Sequence, residues 1–283
     1  MALGVGMMLL GIFVFATNDA LGKWLVGAFS PAELLLVRSV AGLAFLTPAI
    51  ARTGVGKFRQ SPRPGLQAIR VALSAAESLL FFYALTALPL AEVMTYYMAG
   101  PIYVTALSPW LLGERVGWRR WSAVAVGFAG VVLALHPSPQ TLSPQAVAAL
   151  VGSFMYACFV MATRKLAGTS GTVLMTAQLG ATLLLGGALL AAQGWTSPGW
   201  ADFGLMLVLA AGSLAGNLCV NWSLRLAPAS VVVPLQYTLI LWGILFGYMV
   251  FGDVPGRPAL AGAAVIVGAG LFIFMREQRL GVT

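Results

Sequence analysis

The sequence predicts an all-α integral membrane protein with ten transmembrane helices, and three observations support that fold class. Hydrophobic residues make up 60% of the 283 positions and charged residues 8%, whereas an ordinary soluble domain has about 25% charged residues. The chain repeatedly offers apolar stretches of about 20 residues, the length that a helix needs to cross a bilayer. Alternating strands typical of outer-membrane barrels are not found in the sequence, and uninterrupted apolar runs such as 124–135 favour helices.

Short polar breaks divide the apolar stretches into ten predicted spans, with boundaries good to about four residues. The first span has no basic residue before Phe15, so it does not resemble a cleaved signal peptide and is expected to stay as a helix. The predicted spans are, in order, 2–26, 31–51, 68–87, 91–112, 118–136, 144–165, 171–193, 201–224, 229–251 and 257–276.

The basic residues predict the orientation of these spans. If the N-terminus is cytoplasmic, 13 of the 16 Lys and Arg residues fall on the cytoplasmic side and only Lys23, Arg38 and Arg257 fall elsewhere. An excess of Lys and Arg on one side is the signature of cytoplasmic loops. The sequence therefore predicts a multi-pass protein of the cell (inner) membrane with both termini in the cytoplasm. Membrane orientation also explains the net charge of +8, so no nucleic-acid partner is expected.

A weak internal repeat divides the chain into two predicted domains, 1–138 and 139–283. At a spacing of 139 residues Pro89 falls on Pro228, and the Gly113-Glu114 pair at the end of the fourth span falls on Gly252-Asp253. Each half holds five predicted spans, and an odd number makes the second half enter the membrane upside down relative to the first. Such a 5+5 inverted repeat is typical of secondary transporters.

Four short segments carry a resemblance to a known family: 87–93, 112–115, 226–230 and 251–253. On these segments the chain resembles the drug/metabolite transporter superfamily, specifically its EamA-type members with ten helices. Its length and loop pattern are similar to those of exporters of aromatic amino acids of the YddG type. The resemblance implies efflux of a small, amino acid-like substrate by alternating access, through a central cavity between spans 1–4 and 6–9, with spans 5 and 10 peripheral. Export of other amphipathic metabolites or drugs is the alternative.

Three charged residues are predicted to lie inside the membrane: Asp19, Arg38 and Glu77. Such residues are costly in a bilayer and usually face a cavity or a partner. Asp19 and Arg38 have similar predicted depths, which leaves three interpretations for Arg38: an ion pair with Asp19, an anchor for a substrate carboxylate, or a side chain drawn towards water. Lys23 and Glu33 are expected to form a solvated pair at the outer rim.

Glu77 has the deepest predicted position, about ten residues from either end of the third span, with no cation evident at its depth. A carboxylate there can be neutral and hydrogen-bonded to another helix, or can bind a substrate ammonium or relay protons. Proton coupling therefore stays open. The repeat-related segment 213–217 carries Asn217 in place of the charge.

Prolines predict interruptions in the fourth and ninth spans, at matched places in the two halves. Pro101 should free the carbonyl of Tyr97, and Pro234 that of Ser230, since proline lacks the N–H of a helical hydrogen bond. Interrupted spans in corresponding positions point to a transport site. We therefore hypothesise a central site in which Glu77 lies near Tyr97, Asn217 and Tyr237, although packing or lipid-facing tyrosines are the alternative. The full set of candidate substrate-binding residues is Asn18, Asp19, Arg38, Glu77, Tyr97, Pro101, Tyr156, Asn217, Gln236 and Tyr237.

Other functional classes find little support in the sequence. The single histidine, His136, is predicted at a helix end, and Cys158 and Cys219 lie inside apolar runs without the spacing of a metal or redox site. No catalytic residue, metal ligand or cofactor is predicted, so an intramembrane enzyme is the less favoured alternative. An ATP-binding motif of the GxxxxGK[ST] type does not occur, which favours secondary or facilitated transport. The glycines of the fifth and tenth spans permit close helix packing, within a monomer or between the subunits of a homodimer.

Overall fold

Long helices joined by short connections form the computed structural model, which describes residues 2–54, 63–111, 113, 117–135, 143–166, 168–227 and 232–279. The helices are α1 (Ala2–Leu25), α2 (Pro31–Thr53), α3 (Pro64–Leu85), α4 (Leu90–Tyr97), α5 (Gly100–Leu111), α6 (Trp118–Leu135), α7 (Pro144–Lys165), α8 (Gly171–Gln193), α9 (Trp200–Leu226), a 3-10 helix η1 (Val233–Thr238), α10 (Leu239–Phe251) and α11 (Arg257–Arg279).

The lengths of these helices suit a membrane. Six of them, α1, α2, α3, α7, α8 and α9, are long and apolar enough to cross a bilayer, and shorter apolar helices cover 121–134, 235–251 and 257–272. The predicted boundaries agree with the helix ends within about four residues. The described residues therefore form an all-helical protein of the membrane-spanning type.

The fourth predicted span is broken into two helices. α4 ends at Tyr97, Met98 and Ala99 form a turn, and α5 begins at Gly100. Pro101 has no N–H, and the N–H of Ile102 donates to the carbonyl of Ala99 at 2.9 Å, so the helical ladder is interrupted at this point. The interruption predicted from Pro101 is confirmed.

The ninth predicted span is irregular at the corresponding place. It begins as the 3-10 helix η1, which contains Pro234, before continuing as α10. Ser230, whose carbonyl was expected to be freed, lies outside the described residues.

Four helix pairs make the most extensive contacts: α1 with α9, α3 with α7, α2 with α8, and α6 with α11. Glycines allow some of these helices to approach closely. A Cβ added at Gly186 of α8 would lie 3.1 Å from both the Ala32 carbonyl oxygen and the Leu36 nitrogen of α2. Gly262 of α11 similarly faces the backbone of Gly130 on α6. Gly130 of the fifth span and Gly262 of the tenth span thus serve packing within one chain.

At one end of the bundle, the Lys23 end, α1 meets the segment that follows α10. Lys23 forms an ion pair with Asp253 and lies over the Phe251 ring, 4.6 Å from its centroid. Glu33 instead accepts hydrogen bonds from the backbone nitrogens of Ser30 (2.7 Å) and Thr196 (2.5 Å). The expected Lys23–Glu33 pair is therefore wrong, because each residue has a partner from another part of the chain. Leucines beneath this end are almost fully buried: Leu25, Leu34, Leu35, Leu85, Leu90 and Leu209.

At the opposite end, the Arg70 end, one buried arginine joins three helices. The Arg70 guanidinium of α3 donates to the Thr163 hydroxyl of α7 (2.8 Å), the Leu174 carbonyl of α8 (3.1 Å) and the Gln178 side-chain oxygen of α8 (3.2 Å). It also lies 4.8 Å from the centroid of the Phe159 ring. Because all three acceptors are neutral, Arg70 keeps its full charge while α3, α7 and α8 are held together.

Candidate functional site

Three charged side chains from consecutive helices lie close together in the middle of the bundle. Asp19 comes from α1, Arg38 from α2 and Glu77 from α3, and we call them the charged cluster. Each is surrounded by protein, and the charge of Arg38 interacts with both carboxylates, which also repel one another. Each nevertheless keeps part of its surface accessible. The cluster therefore lines an internal space and does not fill a packed core.

Arg38 does not form a direct ion pair within this cluster. Among the described residues, the salt bridge found within 4 Å is that of Lys23 with Asp253, so the carboxylates of Asp19 and Glu77 lie farther than that from the Arg38 nitrogens. The guanidinium lies over the Phe82 ring instead, 5.5 Å from its centroid. The ion-pair interpretation of Asp19 and Arg38 is thus not supported, and the anchor role of Arg38 stays a prediction. The structure also supplies the cation near Glu77 that the sequence did not reveal.

Four aromatic rings continue from the charged cluster towards the Arg70 end, and we call Phe81, Tyr97, Tyr156 and Phe159 the aromatic row. The ring centroids of Phe81 and Tyr97 are 5.2 Å apart, those of Tyr97 and Tyr156 6.2 Å, and those of Tyr156 and Phe159 6.3 Å. The Tyr97 hydroxyl donates to the Glu77 carbonyl at 3.5 Å, and the phenol interacts with the Glu77 carboxylate. Glu77 and Tyr97 are therefore neighbours, as hypothesised from the sequence.

Two glycines lie beside the two tyrosines of this row. A Cβ added at Gly152 of α7 would lie 2.5 Å from the Tyr97 hydroxyl oxygen, which is too close for a normal contact. A Cβ added at Gly100 of α5 would lie 3.6 Å from the Tyr156 ring, an ordinary contact distance. Gly152 in particular fixes the position of Tyr97. This role could not be predicted from the sequence, because glycines are frequent throughout the chain.

Asn18 has a structural environment beside the charged cluster. Its side-chain nitrogen donates to the Ser213 hydroxyl of α9 at 3.0 Å, and the Ser213 hydroxyl in turn donates to the Leu209 carbonyl at 3.0 Å. Asn18 is also buried, with 7% of its surface accessible. It joins α1 to α9 at the residue before Asp19.

The second half contributes less polar chemistry than the sequence hypothesis expected. The Asn217 side-chain nitrogen donates to the Ser213 carbonyl of its own helix at 2.8 Å. The Tyr237 hydroxyl lies against Gly270 of α11, away from the residues that surround Glu77. Gln236 is exposed and shares none of the described hydrogen bonds of the charged cluster. The described contacts therefore do not bring Asn217, Gln236 or Tyr237 to Glu77: Asn217 and Tyr237 have other neighbours, and Gln236 is exposed.

The arrangement can bind a small molecule with several kinds of groups. Arg38 offers donors in a fork that suits a carboxylate. Glu77 and Asp19 offer acceptors for an ammonium, and the carbonyl of Tyr97, left without a helical donor by Pro101, offers another. The aromatic row offers ring faces that attract both cations and other rings.

Comparisons with known proteins agree with a membrane transporter. The family described as "EamA-like transporter family" matches twice, over residues 2–136 and 143–275. The chain is 24% identical to an S-adenosylmethionine uptake transporter of Rickettsia felis over 98% of this chain and 94% of that protein. It is 27% identical to a riboflavin transporter of Rhizobium johnstonii, over 96% and 91% of the two chains.

The fold also agrees with a solved structure. One crystal structure matches with a TM-score of 0.67 at 22% sequence identity, over 98% of both chains. The family profile spans nearly the whole chain, and the relatives named above move small metabolites across membranes. The resemblance read from the loop segments is confirmed: the chain belongs to the EamA-like transporter family and is a small-metabolite transporter, not an enzyme.

Proposed function

We propose that this chain is a secondary transporter for small metabolites that combine an amino-acid head with an aromatic body, and that it works by alternating access. The observation that carries the proposal is the junction of the charged cluster with the aromatic row at Glu77 and Tyr97. A substrate carboxylate meets Arg38, its ammonium meets Glu77 and the Tyr97 carbonyl, and its ring packs on Tyr97 and Tyr156.

Aromatic amino acids are the first substrates of this proposal, and S-adenosylmethionine is the second. S-adenosylmethionine also combines an amino-acid head with a ring system, and it is the substrate in the name of the Rickettsia felis relative. Riboflavin, named for the Rhizobium relative, has a large ring but neither ammonium nor carboxylate. It would leave Arg38 and Glu77 without partners, and charged groups left unpaired in such a site weaken binding.

The architecture that we propose is the ten-span, 5+5 inverted repeat with halves 1–138 and 139–283. Exchange of the two halves maps the pair α1/α9 onto α7/α3, and maps α2/α8 and α6/α11 each onto itself. All four of these pairs are extensive in the structure, and the family matches once in each half. This pairing supports a twofold relation between the halves, which is the basis of alternating access in many transporters.

The orientation in the proposal follows from the basic residues and places both termini in the cytoplasm of a cell with the protein in its inner membrane. The Lys23 end then faces outwards. Its buried leucines and the Lys23–Asp253 ion pair close that end in this conformation. Single cysteines introduced at Thr53 and Gly199 distinguish the two orientations: impermeant thiol reagents should label Gly199→Cys in intact cells and Thr53→Cys only after lysis.

The transport experiment uses proteoliposomes and labelled phenylalanine, tyrosine, tryptophan, S-adenosylmethionine and riboflavin, in both directions. The family resemblance implies export, whereas the Rickettsia relatives are named uptake transporters, so direction is measured and not assumed. We expect counterflow of the aromatic amino acids above that of protein-free liposomes.

A matched pair of variants tests the site in the same assay. Tyr97→Ala removes the central ring of the aromatic row and should reduce transport about tenfold, since cation–π and ring contacts contribute about 0.5–2 kcal/mol each. The control variant, Tyr83→Ala, removes an exposed tyrosine near the end of α3 that is not part of the aromatic row. It should leave transport unchanged. Failure of every compound to move above the liposome control overturns the proposed function.

A further inference from the structure

The described charges of the site do not balance. The cluster holds two carboxylates, Asp19 and Glu77, against one guanidinium, Arg38, and all three interact with one another. When all are ionised, the site carries one net negative charge. An imbalance of this kind inside protein is costly unless a proton or a further positively charged group neutralises it.

Other basic groups on the same helices do not correct the imbalance. Arg70 lies seven residues before Glu77 on α3, about 10 Å along the helix, and its guanidinium is occupied by three neutral acceptors. Lys23 lies four residues beyond Asp19 on α1, but it pairs with Asp253 at the Lys23 end. Neither cation contributes to the interactions that act on Asp19 and Glu77.

Hydrogen bonding within the protein does not neutralise the carboxylates either. The Glu77 carboxylate accepts a bond from the neighbouring Ser78 hydroxyl at 3.3 Å and interacts with the Tyr97 phenol, and the described residues donate none to the Asp19 carboxylate. Both side chains keep accessible surface, so their remaining acceptor positions face the internal space. The groups of the site that remain available to a ligand are therefore carboxylate oxygens, which bind cations.

The neighbouring aromatic rings also favour a positively charged ligand. The aromatic row begins at Phe81 and Tyr97, beside Glu77, and ring faces attract cations by about 0.5–2 kcal/mol. Phe82 already holds the Arg38 guanidinium in this way. A second positive group on a substrate would find partly accessible rings at Tyr97 and Tyr156.

On these grounds we infer that the preferred substrates carry a net positive charge, namely aromatic amino acids or amines with one cationic group more than anionic groups, over neutral zwitterions of the same size. The inference rests on the proposed function and refines the charge of its substrate. A carboxylate on Arg38, an ammonium on Glu77 and a second cation near Asp19 together leave no charge of the cluster unpaired.

The test uses two nearly isosteric probes in proteoliposomes: L-4-(aminomethyl)phenylalanine, with one net positive charge, and L-4-ethylphenylalanine, which is neutral. The measured quantity is the ratio of their transport efficiencies. In the unmodified protein we expect this ratio to favour the cation. In Glu77→Gln and in Asp19→Asn the site becomes neutral, and we expect the ratio to fall by about tenfold or more, as the loss of one charge contact in a protein environment implies.

The comparison of ratios tests the charge preference separately from the proposed transport function. Intrinsic differences in desolvation between the probes cancel, because they are the same for every variant. Asp202→Asn, which removes a carboxylate from the first turn of α9, is the matched control and should leave the ratio unchanged. A ratio that favours the neutral probe, or that stays constant in both site variants, overturns the inference while leaving the transporter proposal intact. Absence of transport for both probes and for all amino acids overturns the proposed function itself.

Discussion

In the proposed inverted repeat, helices α3 and α9 occupy matched places in the two halves of the chain, yet they carry different chemistry. In α3 the segment 74–78 presents Glu77 to the charged cluster, next to Tyr97. In α9 the matched segment 213–217 ends in Asn217, whose amide is bound to its own helix. The comparison teaches that a repeated fold can carry an asymmetric site: the charges come from the first half, and the second half contributes Tyr156 and Phe159 from α7.

The serines at the matched positions, Ser213 of α9 and Ser74 of α3, also differ in their hydrogen bonding. Ser213 both donates to Leu209 and accepts from Asn18 of α1, so the second half uses its polar groups to hold helices together. The Ser74 hydroxyl is buried without a partner among the described residues. The first half thus leaves polar capacity unused at the place where the second half has used it for packing.

The largest effect is expected from removal of the Arg38 charge, which is the cation of the charged cluster. Arg38→Gln leaves Asp19 and Glu77 facing one another without compensation, and we expect transport to fall at least thirtyfold, roughly the lower end of the cost of removing one partner of a desolvated charge contact. Arg38→Lys keeps the charge but loses the forked geometry and should retain part of the activity. The assay is transport of the best substrate in proteoliposomes, normalised to folded protein by size-exclusion chromatography.

A second-half arginine provides the control for that measurement. Arg225 is exposed near the end of α9, and Arg225→Gln should transport normally. Equal losses in Arg38→Gln and Arg225→Gln would contradict the view that the first half holds the functional charge.

The next effect concerns a contact by which the second half positions a tyrosine of the first. Gly152→Ala of α7 places a methyl group against the Tyr97 hydroxyl, so Tyr97 must move away from Glu77, and we expect substrate affinity to fall by about three- to tenfold, in line with the cost of overpacking a well-packed contact. Gly100→Ala adds the same methyl group at an ordinary distance from Tyr156 and serves as the control. Competition binding on the purified protein measures both. Normal affinity in Gly152→Ala would show that the position of Tyr97 does not matter for binding.

The smallest effect is expected in α9. Asn217→Ala removes an amide that is exposed and bound to the Ser213 carbonyl one turn before it, so transport should stay within about twofold of normal, as for a surface substitution. The same transport assay measures it. A loss as large as that of Arg38→Gln would place Asn217 in the site after all and make the two halves functionally alike.

Much of the fold followed from the sequence because membrane helices are encoded locally. Apolar length gave the spans, and Pro101 gave the break between Tyr97 and Gly100, since both depend on neighbouring residues only. The proximity of Glu77 and Tyr97 was also anticipated, because a deep carboxylate and an interrupted helix are both local signals.

The partners of charged residues could not be anticipated in the same way. Lys23 and Asp253 are 230 residues apart in the chain, and Arg70 finds its acceptors 93 to 108 residues away. Such pairings depend on which helices become neighbours and on side-chain direction, neither of which a single sequence encodes in a legible pattern. For the same reason similar depth suggested Asp19 as one of three interpretations for Arg38 and did not reveal its contact with the Phe82 ring of α3.

The contact of Gly186 with α2 has a mechanical meaning. The backbones of α8 and α2 approach closely at Gly186 and Leu36, so sliding of one helix along the other would bring larger side chains into collision with the facing backbone. We expect the crossing to act as a pivot, with α3, α7 and α8 turning together because Arg70 clamps them. Arg38 lies two residues from that pivot on α2. We therefore expect its guanidinium to move less than the ends of the bundle when the protein changes conformation.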